Sequence, residues 1–397
     1  MSSEHVVDAV RAETRSDLRT RRRTIVLSLL LILIGSAVGL VVCEFAVRIF
    51  APQALTSDVI MGDPDVDYRL RPNARGHMSS PEYSADIRIN SLGFRGAEIS
   101  PVKRPGMTRV LFLGDSFTFG HGLSENETLP YLVGRDLEHN YPGKFEVING
   151  GVYGYSTADE LNFLKKFGVP LQPDVVVTLL MTNDFDDNVV GYKLGSGGEL
   201  IKQKTSSDYT RSRRITRFIP GANWLRAHSH LFKFLGVRLL PVLTSGKLPA
   251  ADEQANAGPK QLSSYPEFQP QFYEARGGPF EVTRAILAEM ARTAQTVGAR
   301  SLLLTLGGAY EFRDGRLQPE AMVFHSRSGR AALRSGFSRT LALSPLLSRY
   351  RGQELLFFPK DTHWTATATQ FVAPAVAKAV AETARPRKSP MTKKSTG

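Results

Sequence analysis

The first strong pattern in the chain is an uninterrupted apolar run, TIVLSLLLILIGSAVGLVVC, over residues 24–43. About 20 residues without a charge, each rising about 1.5 Å, match a hydrocarbon core about 30 Å thick. A buried core helix would show a polar face, and this run has only scattered Ser and Gly. It is read as a transmembrane helix. Arg19, Arg21, Arg22 and Arg23 abut its N-terminal end, so the positive-inside bias keeps residues 1–23 cytoplasmic and sends the chain after residue 43 across the membrane. A cleaved signal peptide would have a shorter apolar region followed by an Ala-x-Ala-like site, and neither is evident. Cys43 follows Val42 where a lipid-bearing cysteine would follow a small residue, so it is read as part of the membrane helix.

Residues 44–108 hold many turn formers and few long apolar runs, and are read as a stalk and an irregular lead-in that includes INSLGFRGAE at 89–98. The texture then changes. RVLFL at 109–113, FEVIN at 145–149, DVVVTLLM at 174–181, RSLLLTL at 300–306 and ELLFF at 354–358 are short continuous apolar runs. Such runs mark strands buried on both faces, as in a parallel sheet. Between them lie helical patterns with recognisable starts. Ser124 and Glu127 have capping-box spacing before Leu129, Leu132, Val133 and Leu137; Ser156 precedes ADELNFLKKFG; and 280–297 places Val282, Ile286, Leu287, Met290 and Ala294 at helical intervals. The alternation predicts a doubly wound α/β domain over 109–384. Its sheet is expected to be mainly parallel and five-stranded, in a flavodoxin-like three-layer sandwich, with the site at the C-terminal ends of the strands.

Residues 192–265 interrupt the rhythm and are read as an insertion. They contain the basic residues Arg211, Arg213, Arg214 and Arg217, then WLRAHSHLFKFLGVRLLPVL at 224–243. The insertion suits a lid over the site or a mobile loop, and its 224–240 portion suits either an amphipathic helix lying on the bilayer or a lid helix packed on the domain; His228 and His230 are not read as a metal pair. Residues 385–397 are read as a basic disordered tail.

The formal charge of +12 invites a nucleic-acid partner, but its distribution argues against one. Residues 1–23 carry 6 Arg against 4 acids, 385–397 carry 5 bases, and 192–260 carry 12 bases against 4 acids, so the remainder is slightly acidic. Basicity confined to tails and one insert suits membrane-surface contact at least as well. The single cysteine excludes an intramolecular disulfide and any cysteine-rich metal site.

Polar clusters stand just after the apolar runs. The first runs into Gly114-Asp115-Ser116-Phe117-Thr118, which presents a serine at the carboxyl edge of the sheet where a nucleophile belongs. The second ends in NGGVYGYS at 149–156, whose glycines let backbone N–H groups face a developing oxyanion. The third ends in Met181-Thr182-Asn183-Asp184 with an amide donor at the edge. The last ends in Lys360-Asp361-Thr362-His363-Trp364; in an extended segment Asp361 and His363 point the same way. His77 and His121 are rival bases, Asp184 and Asp187 rival orienting carboxylates, and Asp115 is expected to shape the turn. Together the clusters supply a nucleophile, a base, an orienting carboxylate and oxyanion donors, the set needed for acyl transfer through a covalent intermediate.

On these residues the chain resembles the SGNH (GDSL-type) hydrolases, over roughly 109–190 and 281–384, with all four blocks in family order. The resemblance implies that Ser116 is the nucleophile, with its own N–H, that of Gly154 and the side-chain amide of Asn183 as oxyanion donors. It implies Asp361 and His363 as acid and base, and no metal or organic cofactor. The family usually spaces the last pair as Asp-x-x-His; Asp361-Thr362-His363-Trp364 is similar to the subset related to alginate and other polysaccharide O-acetylation proteins. The expected function is a membrane-anchored esterase at a bacterial inner membrane, its catalytic domain periplasmic, cleaving O-acyl esters, with an envelope polysaccharide as one substrate. The alternatives are an O-acetyltransferase acting on a cell-envelope polysaccharide, and a non-catalytic scaffold that uses the basic insert.

Overall fold

The computed structural model describes residues 3–203, 221–245 and 262–385. The basic run at 211–217 and most of the C-terminal basic tail lie outside the described residues. A helix α1 (Ser3–Phe50) leads the chain; within it Arg21–Phe50 is long and apolar enough to cross a membrane, and residues 21–43 are exposed throughout.

The central sheet is parallel throughout, with strands β1 (Thr108–Leu113), β2 (Phe145–Asn149), β3 (Val175–Met181), β4 (Arg300–Leu306) and β5 (Arg339–Ala342) in the order β2-β1-β3-β4-β5. Every residue of β3 is buried, because alternate side chains enter two separate apolar layers. Val110, Phe112, Val177 and Leu179 pack on one face with α2 (Leu129–Asn140) and the last helix. Leu111, Leu113, Val176 and Leu180 pack on the other with α3 (Thr157–Phe163), α4 (Asp184–Gly191) and two later helices. This two-sided burial is why the runs read as continuous apolar stretches. Next come α5 (Ala222–His228), α6 (His230–Ser245), α7 (Pro279–Gln295), α8 (Ala321–Arg334) and α9 (Ala366–Ala384). In this strand order connections leave β1 and β3 in opposite directions, opening a crevice between their carboxyl ends.

Local signals behave as their chemistry requires. Ser124 and Glu127 form a capping box, although on a single tight turn, with α2 starting at Leu129. Ser156 and Asp159 form another at the start of α3.

Two expectations fail. ELLFF at 354–358 is not a strand of the sheet and contributes only a bridge from Phe357 to Trp364; Leu355 is 59% exposed. The fifth strand is Arg339–Ala342, an edge strand with one exposed and three half-buried residues, which lacks the apolar continuity of a central strand. Residues 55–88 are not irregular either. Leu55–Thr56, Arg75–Ser79 and Ser84–Arg88 form one small antiparallel sheet, and Ile60–Asp63 pairs with Asp67–Leu70 in another. Their Val59, Tyr68, Leu70, Met78, Tyr83 and Ile87 join the same core as α3 and α7.

Candidate active site

At the end of β1 the chain turns through Gly114, and Asp115 caps a one-turn helix, Ser116–Phe119, by accepting the Phe117 N–H at 2.9 Å. This puts the Ser116 hydroxyl at the carboxyl edge of the strand beside the crevice. The turn rests on Gly151, where a Cβ would lie 2.2 Å from the Phe119 nitrogen and 2.7 Å from the Thr118 carbonyl carbon. Arg95, 4% exposed, closes the far end. Its Nη1 donates to Phe119 O at 2.6 Å and Gly120 O at 2.7 Å, its Nη2 to Leu123 O at 2.5 Å, and its guanidinium covers the Phe119 ring. A cation thus satisfies the orphan carbonyls after the turn. Burial lowers its pKa to about 10, so it stays charged at neutral pH.

Ser116 Oγ lies 2.7 Å from His363 Nε2, although the residues are 247 apart in sequence. His363 Nδ1 lies 2.5 Å from Asp361 Oδ1. For Nε2 to accept the serine proton, Nδ1 must carry the hydrogen and donate it to the carboxylate; the network requires that tautomer. Asp361 and His363 do not sit on an extended segment as expected. Residues 358–363 form a turn in which Thr362 has φ +67° and donates its N–H to Phe358 O, while Phe358 N donates to His363 O. The turn brings both side chains to one side because a left-handed residue reverses the chain between them.

Asp361 is more heavily supported than the motif suggests. Its Oδ2 accepts the Tyr83 hydroxyl at 3.0 Å and lies 3.3 Å from His121 Nε2, which is itself 2.7 Å from the Tyr83 oxygen. The Glu82 carboxylate accepts the backbone N–H of Lys360 and of Asp361, each at 2.9 Å. Burial alone would raise the Asp361 pKa, but hydrogen bonds from His121 and His363, with their charges, hold it well below the usual carboxylate range. His121 also stacks over His363 with ring centroids 4.5 Å apart, and Phe117 lies on the same imidazole at 4.7 Å. The donor atoms of His121, Asp361 and His363 lie within 4.8 Å of one another, close enough for a metal ion.

The other sequence-derived residues fall as follows. Gly154, φ +66°, follows β2, and Asn183 follows β3, so in the order β2-β1-β3 they flank Ser116 on either side. Both are exposed, and the Asn183 amide donates to Asp187 over a long 3.4 Å. His77 pairs with Asp86 at 2.8 Å and with the Ser84 hydroxyl at 3.2 Å. Asp184 is buried and accepts Met181 N–H at 2.8 Å. His228 stacks on Trp224 and His230 Nδ1 accepts Gln53 N–H, so they do not form a pair. Sequence reasoning missed Glu82 and Tyr83, which sit in a turn without any motif, and offered His121 as a rival base, whereas it is His363 that meets Ser116 and His121 lies against Asp361 Oδ2.

Comparison with known proteins bears on the family. Residues 112–301 match the GDSL-like lipase/acylhydrolase family, and residues 318–397 match the SGNH hydrolase-like domain of acetyltransferase AlgX. The first span contains Ser116, Gly154 and Asn183, the second Asp361 and His363. No protein of curated function matches the chain significantly. Similar solved structures include LAE5, an alpha/beta hydrolase from the metagenome of Lake Arreo, Spain, at 16% identity and TM-score 0.38, covering 69% of this chain and 95% of that one. The lipase/acylhydrolase from Enterococcus faecalis is 14% identical, TM-score 0.37, covering 71% and 100%. The acetyl xylan esterase AlAXEase is 15% identical, TM-score 0.36, covering 68% and 99%. By its two family matches the chain belongs to the SGNH (GDSL-type) hydrolases and is an enzyme of acyl-ester chemistry.

Proposed function

We propose that the chain is a membrane-anchored, extracytoplasmic serine esterase that hydrolyses O-acyl esters, acetyl esters foremost, through an acyl-serine intermediate. The observation that carries this reading is the relay Ser116 Oγ to His363 Nε2 at 2.7 Å and His363 Nδ1 to Asp361 at 2.5 Å. His363 takes the Ser116 proton as the oxygen attacks the ester carbonyl, and ionised Asp361 supports the imidazolium. The N–H groups of Ser116 and Gly154 and the Asn183 amide hold the tetrahedral oxyanion. Collapse breaks the bond to the alkoxy group, which leaves with the proton from His363. Water, deprotonated by His363, then attacks the acyl-serine and releases the acid. The chemistry draws on side chains and backbone alone. Anchoring is supported by the exposed apolar stretch of α1, with residues 1–23 cytoplasmic and the inner membrane as the location.

Ser116→Ala is expected to lower turnover of an aryl acetate by about 10⁴- to 10⁶-fold, the usual cost of losing a triad nucleophile. It should also abolish labelling by a serine-reactive phosphonate. Undiminished labelling in the variant would refute the assignment, and a wild type that neither labels nor turns over would favour the non-catalytic scaffold.

A second reading, an O-acetyltransferase acting on a cell-envelope polysaccharide, is favoured by the match of residues 318–397 to the AlgX domain, which includes Asp361-Thr362-His363-Trp364. In it a sugar hydroxyl replaces water in the second step. Acetyl transfer from a donor ester to an oligosaccharide, measured against release of free acetate, separates the two.

A further inference from the structure

Helices α5 and α6 meet at Ser229, and their polar contacts run to the outer end of α1. Glu44, the residue directly after the apolar run, accepts the N–H groups of His230 and Leu231 at 2.9 Å each and the Ser229 hydroxyl at 2.7 Å, so its carboxylate caps α6. Arg48 donates to His228 O, and Gln53 N donates to His230 Nδ1. A carboxylate is costly in hydrocarbon, which places Glu44, and with it the start of α6, at the level where lipid tails end. Below that level α6 does not cover α1, since residues 21–43 are all exposed. The exposed side chains of the pair are those of an interface: Trp224 at 62%, Leu235 at 41% and Val237 at 54%, with Arg238 folded over the Phe234 ring and Lys233 exposed beside them. Phe45, Ile49 and Phe50, in the last turns of α1, are exposed as well.

We propose that α5 and α6 lie in the headgroup layer of the bilayer that α1 crosses, with Trp224 and the apolar residues of α6 inserted and the basic residues against anionic lipid. This rests on reading α1 as a membrane span. The consequence is positional. α5 packs on strand Leu55–Thr56, which pairs with Arg75–Ser79 and through it with Ser84–Arg88, the sheet whose turn holds Glu82 and Tyr83 against Asp361. Docking therefore ties the active site to the membrane surface through one continuous sheet.

The chain has two tryptophans, and Trp364 is fully buried, so emission that responds to external quenchers comes from Trp224. The full chain should be reconstituted in phosphatidylcholine–phosphatidylglycerol vesicles made with brominated or ordinary acyl chains. The expected result is loss of most of the Trp224 emission in brominated lipid, little quenching by aqueous iodide, and no lipid-dependent loss in Trp224→Phe. Lys233→Glu combined with Arg238→Glu should weaken the lipid quenching and restore iodide access, with aryl acetate turnover in detergent unchanged. Quenching by iodide and not by lipid would overturn the proposal, as would protection from both, which marks a lid packed on the domain. Retention of the protein on carbonate-washed vesicles in those two cases would leave the span intact; loss from the vesicles would overturn both.

Discussion

Asp361 shows how far single residues depart from a motif. Its carboxylate receives His363, Tyr83 and a close His121, and its backbone N–H is held by Glu82. Such a carboxylate stays ionised far below ordinary carboxylate pH, so Asp361 does not set the acid limb of the kcat/KM profile. In the proposed mechanism His121, 3.3 Å from Asp361 Oδ2, is a positioning residue that acts through Asp361. His121→Phe is expected to lower kcat by about 10- to 100-fold with little change in KM, equivalent to one hydrogen bond to a charged group at about 1.5–3 kcal/mol. His121→Gln, which restores a donor, should recover part of the loss; a shift in KM alone would contradict the role. The serine, histidine and aspartate were legible because each stands in a short motif. Tyr83 and Glu82 were not, since a turn 278 residues away from Asp361 carries no local signature of what it will touch.

At the scale of elements, the nucleophile turn is held by its neighbours rather than by its own four residues. Asn149 accepts the Arg95 N–H with its carbonyl and the Gly151 N–H with its side chain, so β2, the glycine block and the lead-in converge under Ser116. Gly151→Ala would drive a Cβ into backbone that cannot swing aside. It is expected to destabilise the fold by about 1–3 kcal/mol, the usual cost of overpacking, and to slow phosphonate labelling of Ser116 well beyond what stability loss explains. Gly134→Ala in α2, where the nearest atom would lie 3.4 Å away, should raise stability by about 0.5–1 kcal/mol, as expected in a helix interior, and leave labelling nearly unchanged. The central strands were readable because both faces are dry. The edge strand Arg339–Ala342 was not, because a half-buried strand keeps polar residues, and the more apolar ELLFF drew the assignment instead.

For the whole molecule, the crevice side carries carboxyl groups that the relay does not use. Burial pushes Asp115 up to about 6 and raises Glu160 and Asp184 well above the ordinary range, with the charge of neighbouring carboxyls adding to the last two. A proton on such a group favours the folded state. Its stabilisation is fully present below the ordinary 3.8 for Asp115 and is lost as pH rises through about 6. For Asp115 this amounts to about 3 kcal/mol at most. Asp115→Asn keeps an acceptor for the Phe117 N–H and removes the titration. Denaturant unfolding from about pH 4 to 7 should therefore show a shallower fall in stability in the variant than in wild type. Equal slopes would mean that Asp115 is not held protonated.

The sequence by itself determined the apolar N-terminal helix and the alternation of buried strands and helices, and it singled out Ser116, Asp361 and His363 as candidates whose side chains meet in the fold. These depend on periodicity, run length and residue type, which are local properties. Only the tertiary structure decided which strand closes the sheet, that residues 55–88 are part of the core, and that His121 and Tyr83 share the Asp361 carboxylate. It also decided that the end of α1 caps α6 through Glu44. Each of these depends on side chains meeting across long stretches of chain, where the energy comes from packing and paired polar groups that no window of sequence contains.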